Sequence, residues 1–273
     1  MMRRTMMGLA MAAAFGIGGG AASAGTVYGI DNSGRILQVD TTAPHAENVL
    51  YTPNPAATTG NGVALDLAGG RLLFRQPSTG GDLYSLDLST NAVTTIKNSG
   101  GVNDLILAGE SSNATFHNGA YWYIREGTDD LYRVTLTGNT GVAAKIADIT
   151  GNTVNLGFGD IAFDAQGVMY GSTNAGFFSL DLSSSTTWNR ITTTSTLYQI
   201  AFVGSTLLGH SASTGQWYTI DKTTGIATAT AGFATTPLRD IAGAVPEPTS
   251  IAMMGIGVAS ALAFARRRMK ARA

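Results

Sequence analysis

The chain has 273 residues, 44% of them hydrophobic and 13% charged, with no cysteine and a formal net charge of −1 at pH 7. Lacking cysteine, it can form no disulfide, thiolate metal site or cysteine nucleophile. The near-neutral balance hides two arginines close to the N-terminus and five basic residues in the last eight. Leaving these and Glu247 aside, 10 Lys and Arg face 17 Asp and Glu between Gly25 and Ala244, a net −7. Such a surface argues against nucleic acid or anionic lipid as partner, since both need a cationic face.

In chain order, Arg3-Arg4 form a positive start, Met6 to Ile17 an apolar stretch and Ala22-Ser23-Ala24 a small-x-small cleavage site. Residues 1–24 therefore read as a signal peptide, with the mature chain starting at Gly25. Met2 stands where a twin-arginine signal carries Ser or Thr, so the general secretory route is expected.

Residues 25–244 contain one pattern five times: apolar residues alternating with polar ones, ending in Asp or Thr before a polar turn. The copies are Ile36 to Asp40, Leu83 to Asp87, Leu131 to Thr135, Phe177 to Asp181 and Trp217 to Asp221, their ends 47, 48, 46 and 40 positions apart. Before most of them stands a hairpin with a glycine turn, as in Asp160 to Gly171 and Gln199 to Gly209. Short strands repeating every 40 to 50 residues predict an all-β fold, a β-propeller. The first unit, Val27 to Tyr51, lacks an inner strand, and Arg239 to Gly243 is an inner strand with nothing after it. Joined, they make one blade, giving five blades closed by pairing of the N- and C-terminal segments. A sixth blade is the alternative if Val102 to Ala108 supplies an extra strand pair, and a β-sandwich is the broader one.

Inner strands of a propeller line its channel. The repeat alignment puts Asn61, Asn113, Asp160, Gln199 and Asp240 at one end of them, an oxygen-bearing ring that is a candidate ligand or metal site. Two carboxylates and amide carbonyls suit Ca²⁺, which takes six to eight oxygens; the plainer expectation is that these residues cap strand starts. His45, His117 and His210 share no ligand spacing and read as surface or loop residues. Asp129-Asp130 reads as a solvated loop tip, and Asp31-Asn32-Ser33-Gly34 as a turn. No catalytic motif occurs, so no catalytic residue is assigned. Neighbouring rings in Tyr121-Trp122-Tyr123, Phe177-Phe178 and Trp217-Tyr218 point to opposite faces of a strand, and packing between blades is their expected use.

The tail, residues 245–273, joins three elements. Pro246-Glu247-Pro248 cannot continue a helix or central strand. Ser250 to Ala265 carries no charge. Arg266, Arg267, Arg268, Lys270 and Arg272 then form a cationic flank of the kind that stays cytoplasmic. The apolar run of 16 residues is short beside the roughly 20 of a relaxed transmembrane helix, which suits transient insertion better than permanent anchoring. These residues resemble the PEP-CTERM sorting signal, the substrate of exosortase, a membrane transpeptidase of Gram-negative bacteria that make extracellular polysaccharide. The resemblance implies cleavage near Pro246 to Pro248 and passage through an inner-membrane intermediate to the cell surface or outside.

The expected protein is thus an exported, exosortase-processed module of the cell surface, extracellular matrix or biofilm, non-catalytic and binding or structural in role. Its expected partners are the sorting transpeptidase and extracellular polysaccharide or another surface protein. The alternative is a secreted lactonase-like propeller hydrolase with a divalent metal in the channel.

Overall fold

The computed structural model describes residues 25–42, 45–53, 60–75, 82–107, 109, 113–150, 159–193 and 197–244. The signal-peptide segment and the whole tail, Pro246-Glu247-Pro248 and the basic cluster included, lie outside the described residues.

Five antiparallel sheets succeed one another along the chain. Blade I holds β1 (Thr26–Asp31), β2 (Ile36–Asp40) and β3 (Glu47–Tyr51), with β21 (Leu238–Gly243) as its inner strand. Blade II holds β4 (Asn61–Asp66), β5 (Arg71–Arg75), β6 (Leu83–Asp87) and β7 (Val93–Thr95). Blade III holds β9 (Thr115–His117), β10 (Ala120–Arg125), β11 (Asp130–Thr137) and β12 (Thr140–Asp148), and the short β8 (Lys97–Asn98) runs parallel to β12 at its outer edge. Blade IV holds β13 (Asp160–Phe163), β14 (Val168–Thr173), β15 (Gly176–Asp181) and β16 (Asn189–Thr192). Blade V holds β17 (Gln199–Val203), β18 (Thr206–His210), β19 (Gln216–Ile220) and β20 (Ala227–Ala234). The inner strands β21, β4, β9, β13 and β17 follow one another in a closed ring. The protein is a five-bladed β-propeller.

Closure occurs where the repeat arithmetic places it. β21 pairs antiparallel with β1, from Val27↔Gly243 to Ile30↔Asp240, so the last strand completes the first blade and leaves no open inner edge. Val102 to Leu107 builds no sixth blade. Two isolated bridges, Lys97↔Asp104 and Asp82↔Ile106, hold this strap, and its Leu105 and Leu107 are buried between blades II and III.

The core consists of seams between blades. Because side chains alternate along a strand, both faces of a blade are buried, each against a different neighbour. Val27 packs with Trp217 of blade V, whereas Tyr28 and Ile30 pack with Val63 and Phe74 of blade II. The paired aromatics follow the same rule. Tyr121 and Tyr123 fill the seam to blade II, while Trp122 between them meets Phe163 and Phe178 of blade IV. Phe177 turns instead toward Phe202 of blade V. Fully burying each such ring contributes about 1.5–3 kcal/mol.

The terminal Asp of the repeat caps a turn. Oδ1 of Asp40, Asp87, Asp181 and Asp221 accepts a hydroxyl at 2.6 Å from Thr42, Ser89, Ser183 and Thr223 respectively. Each also accepts the backbone N–H of the same residue. Donors aimed at the charged form hold these carboxyls below their ordinary range, Asp87 at about 2. Blade III has Thr135 at this place, and β11 runs on to a tighter turn at Gly138-Asn139. Asp31 makes the expected turn, its Oδ1 accepting from Ser33 N at 2.8 Å and Arg35 N at 2.9 Å.

Two surface expectations are corrected. Asp129 and Asp130 are buried rather than a solvated tip: Asp129 Oδ2 accepts the Thr150 hydroxyl at 3.1 Å, and Asp130 pairs with Lys145. His210 is fully buried against Trp217, with ring centroids 4.7 Å apart, and His117 stacks on Phe163 at 4.5 Å. His210, the last residue of β18, is thus sealed in, whereas His117, the last residue of β9, is half-buried and lines the edge of an open pocket.

Candidate functional site

All five inner strands run in the same sense along the axis, so the channel has two chemically different ends. At the end where they start, Asn61 opens β4, Asp160 opens β13, Gln199 opens β17 and Asp240 lies within β21. Asn113 stands two residues before β9 and is used inside its own blade, where its Oδ1 accepts the Ile124 N–H at 2.8 Å.

Asp160 and Asp240 are brought together, both fully buried and within hydrogen-bonding reach of each other. Each also ties two blades. Asp160 Oδ1 accepts the N–H of Ile161, and its Oδ2 accepts the N–H of Ile200 in blade V at 2.7 Å. Asp240 Oδ1 accepts the N–H of Ile241, and its Oδ2 accepts the N–H of Val63 in blade II at 2.8 Å. Burial and the repulsion of its partner drive Asp160 well above the usual carboxylate range, and burial lifts Asp240 to about 8. Two carboxylates this close cannot both ionise at low cost, so the pair gives up its protons only well above the usual carboxylate range. Beside the pair, Asn61 Oδ1 and Gln199 Oε1 are buried with no hydrogen-bond partner among the described residues.

Two members of this polar centre escape a reading confined to strand starts. Arg75 ends β5 directly opposite Asn61 in register. It is buried, its Nη2 donates to Gly109 O at 2.7 Å, and its guanidinium lies 5.7 Å from the Tyr123 ring centroid. Tyr121 donates its hydroxyl to Gly62 O at 2.8 Å, and burial raises its phenol above the ordinary value against the pull of Arg75. Extending the repeat comparison to the last residue of each second strand picks out Arg75 together with Arg125, the last residue of β10. Tyr121 carries no such signal, because its sequence neighbours are aromatic too.

The opposite end is apolar. A funnel of about 110 Å³ opens where the inner strands finish, among Leu65, Phe116, Phe163, Phe202 and Ala244. Its rim carries an inter-blade ion pair: Lys222 Nζ of blade V donates to Asp164 Oδ2 at 2.9 Å, and the ammonium also stands over the rings of Tyr170 and Phe202. With its charge matched there, Asp164 holds the β13–β14 turn by accepting the N–H of Gln166 and of Val168.

Among solved structures, a protein of the nidogen/laminin complex superposes with a TM-score of 0.56 at 12% identity, covering 81% of each chain. An auxiliary nutrient binding protein from Bacteroides thetaiotaomicron gives 0.51 at 11% identity, covering 82% of this chain and 62% of its own. A structural genomics protein of the same organism gives 0.51 at 14% identity, with 74% and 55% covered. At these identities the likeness is one of fold. A search of curated protein sequences gave no match. The family model of the PEP-CTERM protein-sorting motif matches residues 244–268, directly behind the closing strand. The chain is therefore a β-propeller carrying a C-terminal PEP-CTERM sorting motif, which directs it by exosortase-dependent export across the membrane to the cell surface.

Proposed function

We propose that the mature propeller, residues 25–244, is a non-catalytic binding or structural module of the cell surface or the extracellular polysaccharide matrix. The observation that supports this most directly is the use of the axial carboxyl pair. Asp160 and Asp240 face each other and the N–H groups of neighbouring blades, sealed from solvent, so they act as staples of the ring. The two targeting segments supply the rest: residues 1–24 are removed on export, the tail holds an inner-membrane intermediate, and cleavage near Pro246 to Pro248 lets the domain go. Surface polysaccharide or another surface protein is the partner class. Replacing Pro246-Glu247-Pro248 with alanines in a host that has the sorting enzyme should leave a membrane-retained precursor. Intact-mass analysis giving one C-terminus for variant and parent would overturn the processing half of the proposal.

A second reading, a secreted hydrolase with Ca²⁺ in the channel, has one observation in its favour. The orphan carbonyl oxygens of Asn61 and Gln199 beside two carboxyls are the donor types a hard cation accepts. A cation bound only by the folded chain would raise stability by about 2.7 kcal/mol at a hundredfold excess over its dissociation constant. Calorimetry with and without Ca²⁺ tests it: an unchanged melting temperature leaves the carboxyl pair as a staple alone.

A further inference from the structure

The two targeting segments leave the domain side by side. Antiparallel pairing of Val27 with Gly243 sets Gly25 next to Ala244, and both are held there: Gly25 O accepts the Thr41 N–H, and Ala244 O accepts the Gly204 N–H at 3.1 Å. Gly243 and Ala244 also line the apolar funnel, so this exit lies at the funnel end of the channel. At the same end the inner strands reach their neighbours through short turns, 67–70, 118–119, 164–167 and 204–205. The longer connections between blades, 52–60, 149–159 and 193–198, each run from the end of an outer strand to the start of an inner one, at the opposite end. Ser250, the first residue of the uncharged run, comes six positions after Ala244. Such a link reaches at most about 20 Å even when fully extended, too short for the domain to turn over while the run is in a bilayer.

We infer that the funnel face, where Gly25 and Ala244 emerge, is the surface this protein holds against the lipid bilayer before its tail is cut. The channel end that carries Asn61, Asp160, Gln199 and Asp240 points away from the membrane in that state. The inference deepens the proposed function and rests on insertion of the tail. Orientation follows from the shortness of the link, without any affinity of the acidic domain for lipid. Cutting near Pro246 to Pro248 then uncovers the funnel and frees the second face of the propeller for contact.

A chain without cysteine makes the test direct. Ser205 and Ser213 are exposed and stand at the two ends of β18, Ser205 on the funnel face and Ser213 on the other. Ser205→Cys and Ser213→Cys in the full chain are each labelled with a small fluorophore. They are then reconstituted into phosphatidylcholine vesicles containing a lipid with a nitroxide on its headgroup. Quenching several-fold stronger at Ser205→Cys than at Ser213→Cys is the expected result. Vesicle flotation separates the two ways of failing. A chain that floats but is quenched equally at both positions, or more at Ser213→Cys, overturns the orientation alone. A chain that fails to float overturns tail insertion and the orientation with it.

Discussion

Asp160 and Asp240 give the protein an unusual dependence on pH. In the fold they keep a proton that unfolded aspartate, with a pKa of about 3.9, has already lost. The folded chain thus binds more protons between about 4 and about 8, and this contribution to stability is lost as pH rises through that window. His210 acts in the opposite sense. Burial holds it neutral down to about 4, whereas an unfolded histidine protonates at about 6.5, so its contribution grows as pH rises between those values. From about pH 6.5 to 8 the carboxyl pair dominates, and the melting temperature of the wild type, measured with a chelator present, should fall across that interval. Asp160→Asn should flatten the decline, because one carboxyl no longer has to share. The same variant turns an oxygen that accepts a backbone N–H into a donor, which costs about 1–3 kcal/mol. A slope equal to that of the wild type would show that the two carboxyls do not hold a common proton.

Strands and turns were largely legible in the sequence, and the reasons are local. Alternation in Ile36 to Asp40 and its copies fixes the third strand of each blade, and the Asp-x-Ser/Thr cap at four of the five ends fixes where it stops. The strand-start positions of Asn61, Asp160 and Gln199, and the place of Asp240 near the start of β21, follow from the same alignment, but which of them meet does not. That Asp160 and Asp240 touch, while Asn113 turns into its own blade, depends on how the ring closes across the axis. The burial of His210 and of Asp129-Asp130 was hidden for another reason: the partners that make it tolerable, Trp217 in one case and Thr150 and Lys145 in the other, come from other strands or loops. Turn glycines differ in the same hidden way. Gly204 and Gly215 both hold positive φ, 61° and 72°, but a Cβ on Gly204 would meet nothing within 4 Å, whereas one on Gly215 would lie 2.0 Å from Thr235 O. Gly204→Ala should therefore cost about 1 kcal/mol, the ordinary penalty of a left-handed residue. Gly215→Ala should cost clearly more, since backbone has to move, and equal losses in denaturant titrations would refute the difference.

At the scale of the ring, five seams hold the molecule together and β21 belongs to three of its contacts at once. It pairs with β1, packs Leu238 and Ile241 against blade V, and sends Asp240 to the N–H of Val63 in blade II. A chain ending at Ala244 should melt like one that carries the longer tail. A chain ending at Pro237 leaves β1 with an unpaired edge and opens two seams, a loss comparable to the roughly 5–15 kcal/mol that is the entire stability of a typical domain. Circular dichroism of the two truncations measures this, and matching transitions would mean that the ring stands without its clasp.

The clasp also sets an order of events. Residues leave the ribosome from the N-terminus, so Val63 waits for Asp240, 177 positions behind it, before its N–H finds its acceptor. Six residues after Ala244 the uncharged run of the sorting motif begins. The strand that completes the fold and the segment that marks the protein for sorting are thus made almost together. Because the motif comes after the clasp in the chain, any chain that carries the motif already carries every residue the ring requires.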